Sequence, residues 1–144
     1  MADNSHDLFA RELEGVLEKY YALKEARRRH PYVGDLIRVL LPYPDGVRRA
    51  LVIFELEKQR RQDGLSIPAT FKAAVQSSYN HYSLDSEIFK KRGAPKDEGL
   101  FYSPAGKGSG RWAVHPERAL EWLKTKLGDP RLLRKSACFP RLSP

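Results

Sequence analysis

The chain has 144 residues, 41% hydrophobic and 31% charged, a balance that suits a folded protein with one modest core and excludes a disordered chain. Lys and Arg number 26 against 18 Asp and Glu, for a formal net charge of +8. Such a surplus favours polyanionic partners, because each neutralised phosphate releases condensed counterions. No apolar run approaches the roughly 20 residues that span a bilayer, so no membrane partner is expected.

The segment from Met1 to Asp7 is polar and slightly acidic, unlike a secretory signal, so a cytoplasmic location is expected. Cys138 is the one cysteine, which rules out an intrachain disulfide. His6, His30, His81 and His115 are scattered, without zinc-site spacing, so neither metal nor cofactor is expected.

In chain order, the first expected element is one long helix over residues 7–29. Phe9, Leu13, Val16, Leu17, Tyr20 and Leu23 recur at three- and four-residue intervals and form an apolar stripe. Asn4 or Ser5 can cap its start. Arg27, Arg28 and Arg29 match the dipole at its end, where Pro31 stops it. The stripe can fold back on a small core or pair with a second copy, making a homodimer through this helix. A short helix over 32–41 follows, with Val33, Leu36, Ile37, Leu40 and Leu41 at helical spacing, then a turn at 42–46.

Residues 47–62 read as a third helix. Its apolar run, Ala50-Leu51-Val52-Ile53-Phe54, is expected to be buried, and Gly64 is placed to end it. A buried strand over 50–54 is the competing reading. Pro68 opens a fourth helix to about Tyr82, with Phe71, Ala74, Val75, Ser78 and Tyr82 inward. Lys72, Gln76, Ser77, Tyr79 and Asn80 are expected on its outer face, as groups able to reach base edges and phosphates. Ser83 to Ser86 reads as a turn with a new helix cap, 87–91 as one helical turn, and 92–99 as a polar loop holding the end of the basic run Lys90-Lys91-Arg92.

Residues 100–103 and 111–114 read as two aromatic-containing strands around the glycine-rich tip Gly106-Lys107-Gly108-Ser109-Gly110, hence a β-hairpin. Such a tip lets backbone N–H groups approach phosphates, and Lys107 and Arg111 flank it with charge. Trp112 can anchor the hairpin on the core or stack on a base. The tip leads into a strand and lacks the phosphate-loop pattern, which excludes a nucleotide cradle. Pro116 starts a last helix to about Leu127, with Ala119, Leu120, Trp122, Leu123 and Leu127 on its apolar side. Residues 131–144 carry four basic and no acidic side chains.

Two helices joined by a short link and followed by a hairpin resemble the winged helix-turn-helix domains found with bacterial restriction-type endonucleases and related stand-alone proteins. The resemblance runs from about Leu51 to Val114 through Leu65-Ser66-Ile67-Pro68, Phe71-Lys72-Ala73-Ala74-Val75-Gln76, Asp85-Ser86-Glu87-Ile88-Phe89 and the hairpin itself. Nothing in residues 1–46 resembles the family. The elements above give the expected organisation, mainly helical with a small β-hairpin: an N-terminal helical extension (1–31), a winged-helix domain closed by a C-terminal helix (32–127) and a basic tail (128–144). The resemblance implies the winged-helix fold of the middle part. It also implies binding of double-stranded DNA, with Lys72 and Gln76 on the recognition helix and Lys107 and Arg111 on the wing. The expected DNA-binding set is Lys72, Gln76, Ser77, Asn80, Lys90, Lys91, Arg92, Lys107, Ser109 and Arg111, in a transcriptional or mobile-element regulator. A protein-interaction module using the same surface is the alternative.

Enzymatic chemistry finds little footing. Glu55 and Glu57 are two apart on a helix and diverge, Asp97-Glu98 is an isolated loop pair, and no nucleophile stands in a recognisable context beside His81 or His115. A non-enzymatic role is expected.

Overall fold

Apolar side chains at helical spacing build most of the molecule. The computed structural model describes residues 4–106 and 108–129. Lys107 and most of the basic tail, residues 130–144, lie outside the described residues. The order is α1 (Asn4–Tyr21), α2 (Lys24–Arg29), α3 (Val33–Leu40), β1 (Val47–Arg48), α4 (Arg49–Gln62), α5 (Phe71–His81), α6 (Glu87–Arg92), β2 (Phe101–Tyr102), β3 (Arg111–Val114) and α7 (Pro116–Leu127), with a 3-10 turn at Lys96–Glu98. The protein is mainly helical with a small antiparallel sheet. One hydrophobic cluster runs from Leu13 of α1 to Leu123 of α7.

The N-terminal stripe folds back. Leu13, Leu17 and Tyr20 are buried against α7 and α3 within the same chain, so they leave no free apolar ridge for a second copy. Glu12 and Lys124, 2.8 Å apart, tie α1 to α7 at the surface. The expected single helix over 7–29 is two helices. It opens at Leu23, whose backbone is extended (φ −92°, ψ 96°). No Pro or Gly marks the break. It redirects the chain so that Leu23 and Ala26 both enter the core while Glu25 lies under Arg28 and Arg29. Those two guanidiniums hold the Glu25 carboxyl well below the usual carboxylate range. The arginines at this helix end are therefore partly committed to local pairing.

The second difference is β1. Val47 and Arg48, expected in the first turn of a helix, instead pair with Trp112 and Arg111 of β3. On the other side of β3, Phe101 and Tyr102 of β2 pair with Val114 and Ala113, so the sheet order is β1-β3-β2. Gly46 makes this possible. Its φ is +86°, and a Cβ there would meet Pro104 Cγ at 2.7 Å and the Trp112 carbonyl oxygen at 3.0 Å. Helix α4 then starts at Arg49, whose N–H donates to the Gly110 carbonyl. Val52, Ile53 and Leu56 face the core, but Ala50, Leu51 and Phe54 are exposed. The expected burial of the whole run 50–54 is thus corrected: a single helix face meets the core, and among the described residues the other side of the run stays exposed.

The remaining elements follow their sequence signals. Ser86 caps α6, its Oγ accepting from the Phe89 N–H at 3.0 Å. On α7, Ala119, Leu120, Trp122 and Leu123 are buried. Where α2, α5 and α7 meet, His30 Nδ1 lies 2.6 Å from the Tyr82 hydroxyl, and its ring stands edge-on to Trp122 at 5.1 Å. Burial, and then the nearby Lys126, His81 and Arg29, lower the His30 pKa from 6.5 to about 4.

Two expectations follow. Gly46→Ala should cost about 2–4 kcal/mol in urea unfolding, from positive φ plus contact with backbone and Pro104. His30 is held neutral in the fold, so its contribution is intact above pH 6.5 and is lost as pH falls towards about 4. With allowance for solvent screening of the half-buried ring, the loss is on the order of 2 kcal/mol. A His30→Phe variant should show a flatter stability profile between these pH values than the parent.

Candidate nucleic-acid interface

Helix α5 presents its polar face through simple periodicity. Phe71, Val75 and Tyr79 are buried, with Tyr82 just past the helix end. Lys72, Gln76 and Asn80 then fall four apart on the outer side, flanked by Ala73 and Ser77. Lys72, Ala73 and Ser77 are exposed, and Gln76 and Asn80 are half-buried. Gln76 Nε2 donates to Asn80 Oδ1 at 3.1 Å, which leaves each amide with unused capacity facing outward. Four of the expected residues, Lys72, Gln76, Ser77 and Asn80, are therefore gathered on one helix face.

Tyr79 belongs to the other side, against expectation. Its ring stacks on Trp112 with centroids 3.9 Å apart and planes 9° apart, and lies 5.4 Å from Phe101. Its hydroxyl donates to the Tyr102 carbonyl at 2.9 Å. Burial pushes its pKa up to about 12, so it stays a donor at any ordinary pH. Trp112 is consequently a packing residue, 4% exposed, and is not presented to a base. A second link comes from Asp85, whose Oδ2 accepts from the Ser103 N–H at 2.7 Å. Together they fix the root of the hairpin to the end of α5.

The hairpin tip depends on glycine. Gly106, Gly108 and Gly110 all have positive φ, between +80° and +101°, with open space around each. Ser109 is exposed, and its Oγ accepts from the Arg111 N–H at 3.3 Å. Arg111 is half-buried and donates to the Gly46 carbonyl at 3.0 Å. Opposite it across β1–β3 stands Arg48, exposed and on the same sheet face. Two like charges in register repel, which an anion placed between them relieves. No local signal marks Arg48, because its place beside Arg111 comes from the pairing of β1 with a strand more than sixty residues away.

The basic run of α6 divides. Lys90 and Lys91 are exposed on a helix that packs against α5. Arg92 is engaged: its guanidinium lies over the Tyr82 and Phe89 rings, donates to the His81 carbonyl at 3.2 Å and approaches Glu98 at 3.8 Å. Arg92 serves packing more than display.

Among the described residues, no three His, Cys, Asp or Glu side chains gather closely enough to hold a metal ion, and no helix is long and apolar enough to cross a membrane. A groove of about 1180 Å³ runs between α1, the turn after α3 and the start of α7; Phe9, Leu13, Pro42, Tyr102 and His115 are among the residues lining it. It contains none of the expected interface residues. The chain matches no protein family, no curated protein and no solved structure.

The Tyr79 contacts set up a graded expectation. Tyr79→Phe keeps the stack but strands the Tyr102 carbonyl, a cost of about 1–2 kcal/mol. Trp112→Ala removes the stack itself and should cost about 3–5 kcal/mol. Urea unfolding reads both, and faster amide exchange at Arg111–Val114 than at α7 would place the second loss at the hairpin.

Proposed function

We propose that this protein binds double-stranded DNA as a winged helix, with α5 as the reading helix and the 101–114 hairpin as the wing. The observation that carries the reading is the order α3, β1, α4, α5, α6, β2, β3 with sheet order β1-β3-β2, which leaves Lys72 and Ser77 exposed and Gln76 and Asn80 half-exposed on the polar face of α5. In such an arrangement a helix presents side chains to the major groove while the wing grips the backbone.

The chemistry of the groups on this side supports it. Gln76 and Asn80 have the donor–acceptor pairs that match an adenine edge. Lys72, Arg48 and Arg111 are suited to phosphate, as are the exposed Lys90 and Lys91 of α6, and the net charge of +8 supplies long-range attraction. Lys107, at the hairpin tip, joins the wing set on its sequence position. A role as a transcriptional or mobile-element regulator is the setting we infer for this activity.

Fluorescence anisotropy with a labelled duplex of about 30 base pairs tests the proposal. If about four phosphates are neutralised, the slope of log K against log salt is about −3.6, and affinity falls roughly a hundredfold between about 50 and about 200 mM salt. Arg48→Ala with Arg111→Ala should weaken binding to all sequences and flatten that slope by about 2. Gln76→Ala should change the preference among sequences and leave the slope alone. Absence of duplex binding at the lower salt overturns the proposal.

A further inference from the structure

The outward side of α4 carries apolar side chains that the described residues leave exposed. Phe54 is 53% exposed and Leu51 is 36% exposed, with Ala50 exposed beside them. Leu51 and Phe54 are three apart and so adjacent on one helical face, opposite to Val52, Ile53 and Leu56. Single exposed apolar residues are ordinary on protein surfaces, but an aromatic and a leucine side by side on a helix make a seat.

Positive charge predominates around this seat, where four exposed cations outnumber the half-buried carboxylates of Glu55 and Glu57 at its edges. Lys58 lies one turn beyond Phe54 on the same face, followed by Arg61, and Arg48 and Arg49 stand at the N-terminal end, all exposed. Glu57 at the edge is approached by Arg61 at 3.9 Å. Among the described residues no ion pair engages Arg48, Arg49 or Lys58.

We propose that this face of α4 docks an acidic amphipathic helix from a partner protein. The partner's apolar side chains would sit on Leu51 and Phe54, and its carboxylates would meet Lys58 at one end and Arg48 or Arg49 at the other. Charge favours this occupant over the others. A two-fold antiparallel pairing of α4 about Ile53 sets Arg48 of each chain against Lys58 of the other, offset only by Glu57 near Arg49, which Arg61 already approaches. The chain's own residues 131–144 are basic and meet the same repulsion. A nucleic acid suits the cations but has no use for Phe54. An acidic amphipathic partner matches both features and leaves the polar face of α5 free.

The full-length protein is titrated into a labelled acidic amphipathic helix of about 18 residues, with leucines at i, i+3, i+4 and i+7 and glutamates between them. Saturable binding in the micromolar range is expected, with none to a scrambled peptide or to one with lysines in place of glutamates. Phe54→Ser should weaken it at least tenfold and Lys58→Glu at least threefold. Both sites are exposed, and circular dichroism confirms that each variant is folded. Duplex binding by Phe54→Ser should equal that of the parent, so this test fails or succeeds separately from the DNA reading. The proposal is overturned by no peptide binding by the parent, by equal binding by Phe54→Ser, or by a dimer in light scattering that Phe54→Ser dissolves. Loss of duplex binding in Phe54→Ser also overturns it, by assigning the face to DNA.

Discussion

The stack of Tyr79 on Trp112 is the contact on which the arrangement of the candidate interface depends. A helix of 11 residues and a hairpin of two short strands are each too small to hold a fixed position alone. Tyr79 joins them by two different means. Its ring lies flat on Trp112, and its hydroxyl reaches the Tyr102 carbonyl on the neighbouring strand. The ring supplies area, and the hydrogen bond supplies direction, so hairpin and helix are held in orientation as well as in contact. Lys72, Gln76 and Asn80 form the row next to the buried Phe71, Val75 and Tyr79, at the edge of the outer side of α5.

Around this contact the basic residues divide into those the fold uses and those it displays. Arg28 and Arg29 serve Glu25, Arg92 covers Tyr82 and Phe89, and Arg111 reaches the Gly46 carbonyl. Lys72, Lys90, Lys91, Arg48, Arg49 and Lys58 are exposed. A formal charge of +8 therefore overstates the surface available to a polyanion in some places and is concentrated in others. Arginine is the residue recruited for packing here, since its planar group can lie on a ring while still donating hydrogen bonds.

The N-terminal helices complete the core. Without Leu13, Leu17 and Tyr20, the faces of α7 and α3 that they cover would meet water. Tyr20 packs on Trp122 at 5.7 Å, and Trp122 in turn meets His30 and Tyr82. These aromatic contacts join α1, α2, α5 and α7 in one chain of rings, and the neutral His30 within it makes that junction sensitive to acid.

Local signals in the sequence determined the helices of α3, α5 and α7, the cap at Ser86, the glycine tip and the polar stripe of Lys72, Gln76, Ser77 and Asn80. Each depends on spacing within one turn or two, and a helix or hairpin turn is satisfied by near neighbours. The tertiary structure alone decided the break at Leu23, the strand at Val47–Arg48, the inward turn of Tyr79 and the exposure of Leu51 and Phe54. Leu23 gains burial from elements that follow it in the chain. Val47 and Arg48 find their backbone partners in β3, more than sixty residues away. Tyr79 sits at the border between the two faces of α5, where periodicity does not choose, and Trp112 chooses for it. Leu51 and Phe54 have the composition of core residues yet stay exposed among the described residues, because hydropathy records what a side chain prefers and only packing determines whether that preference is met.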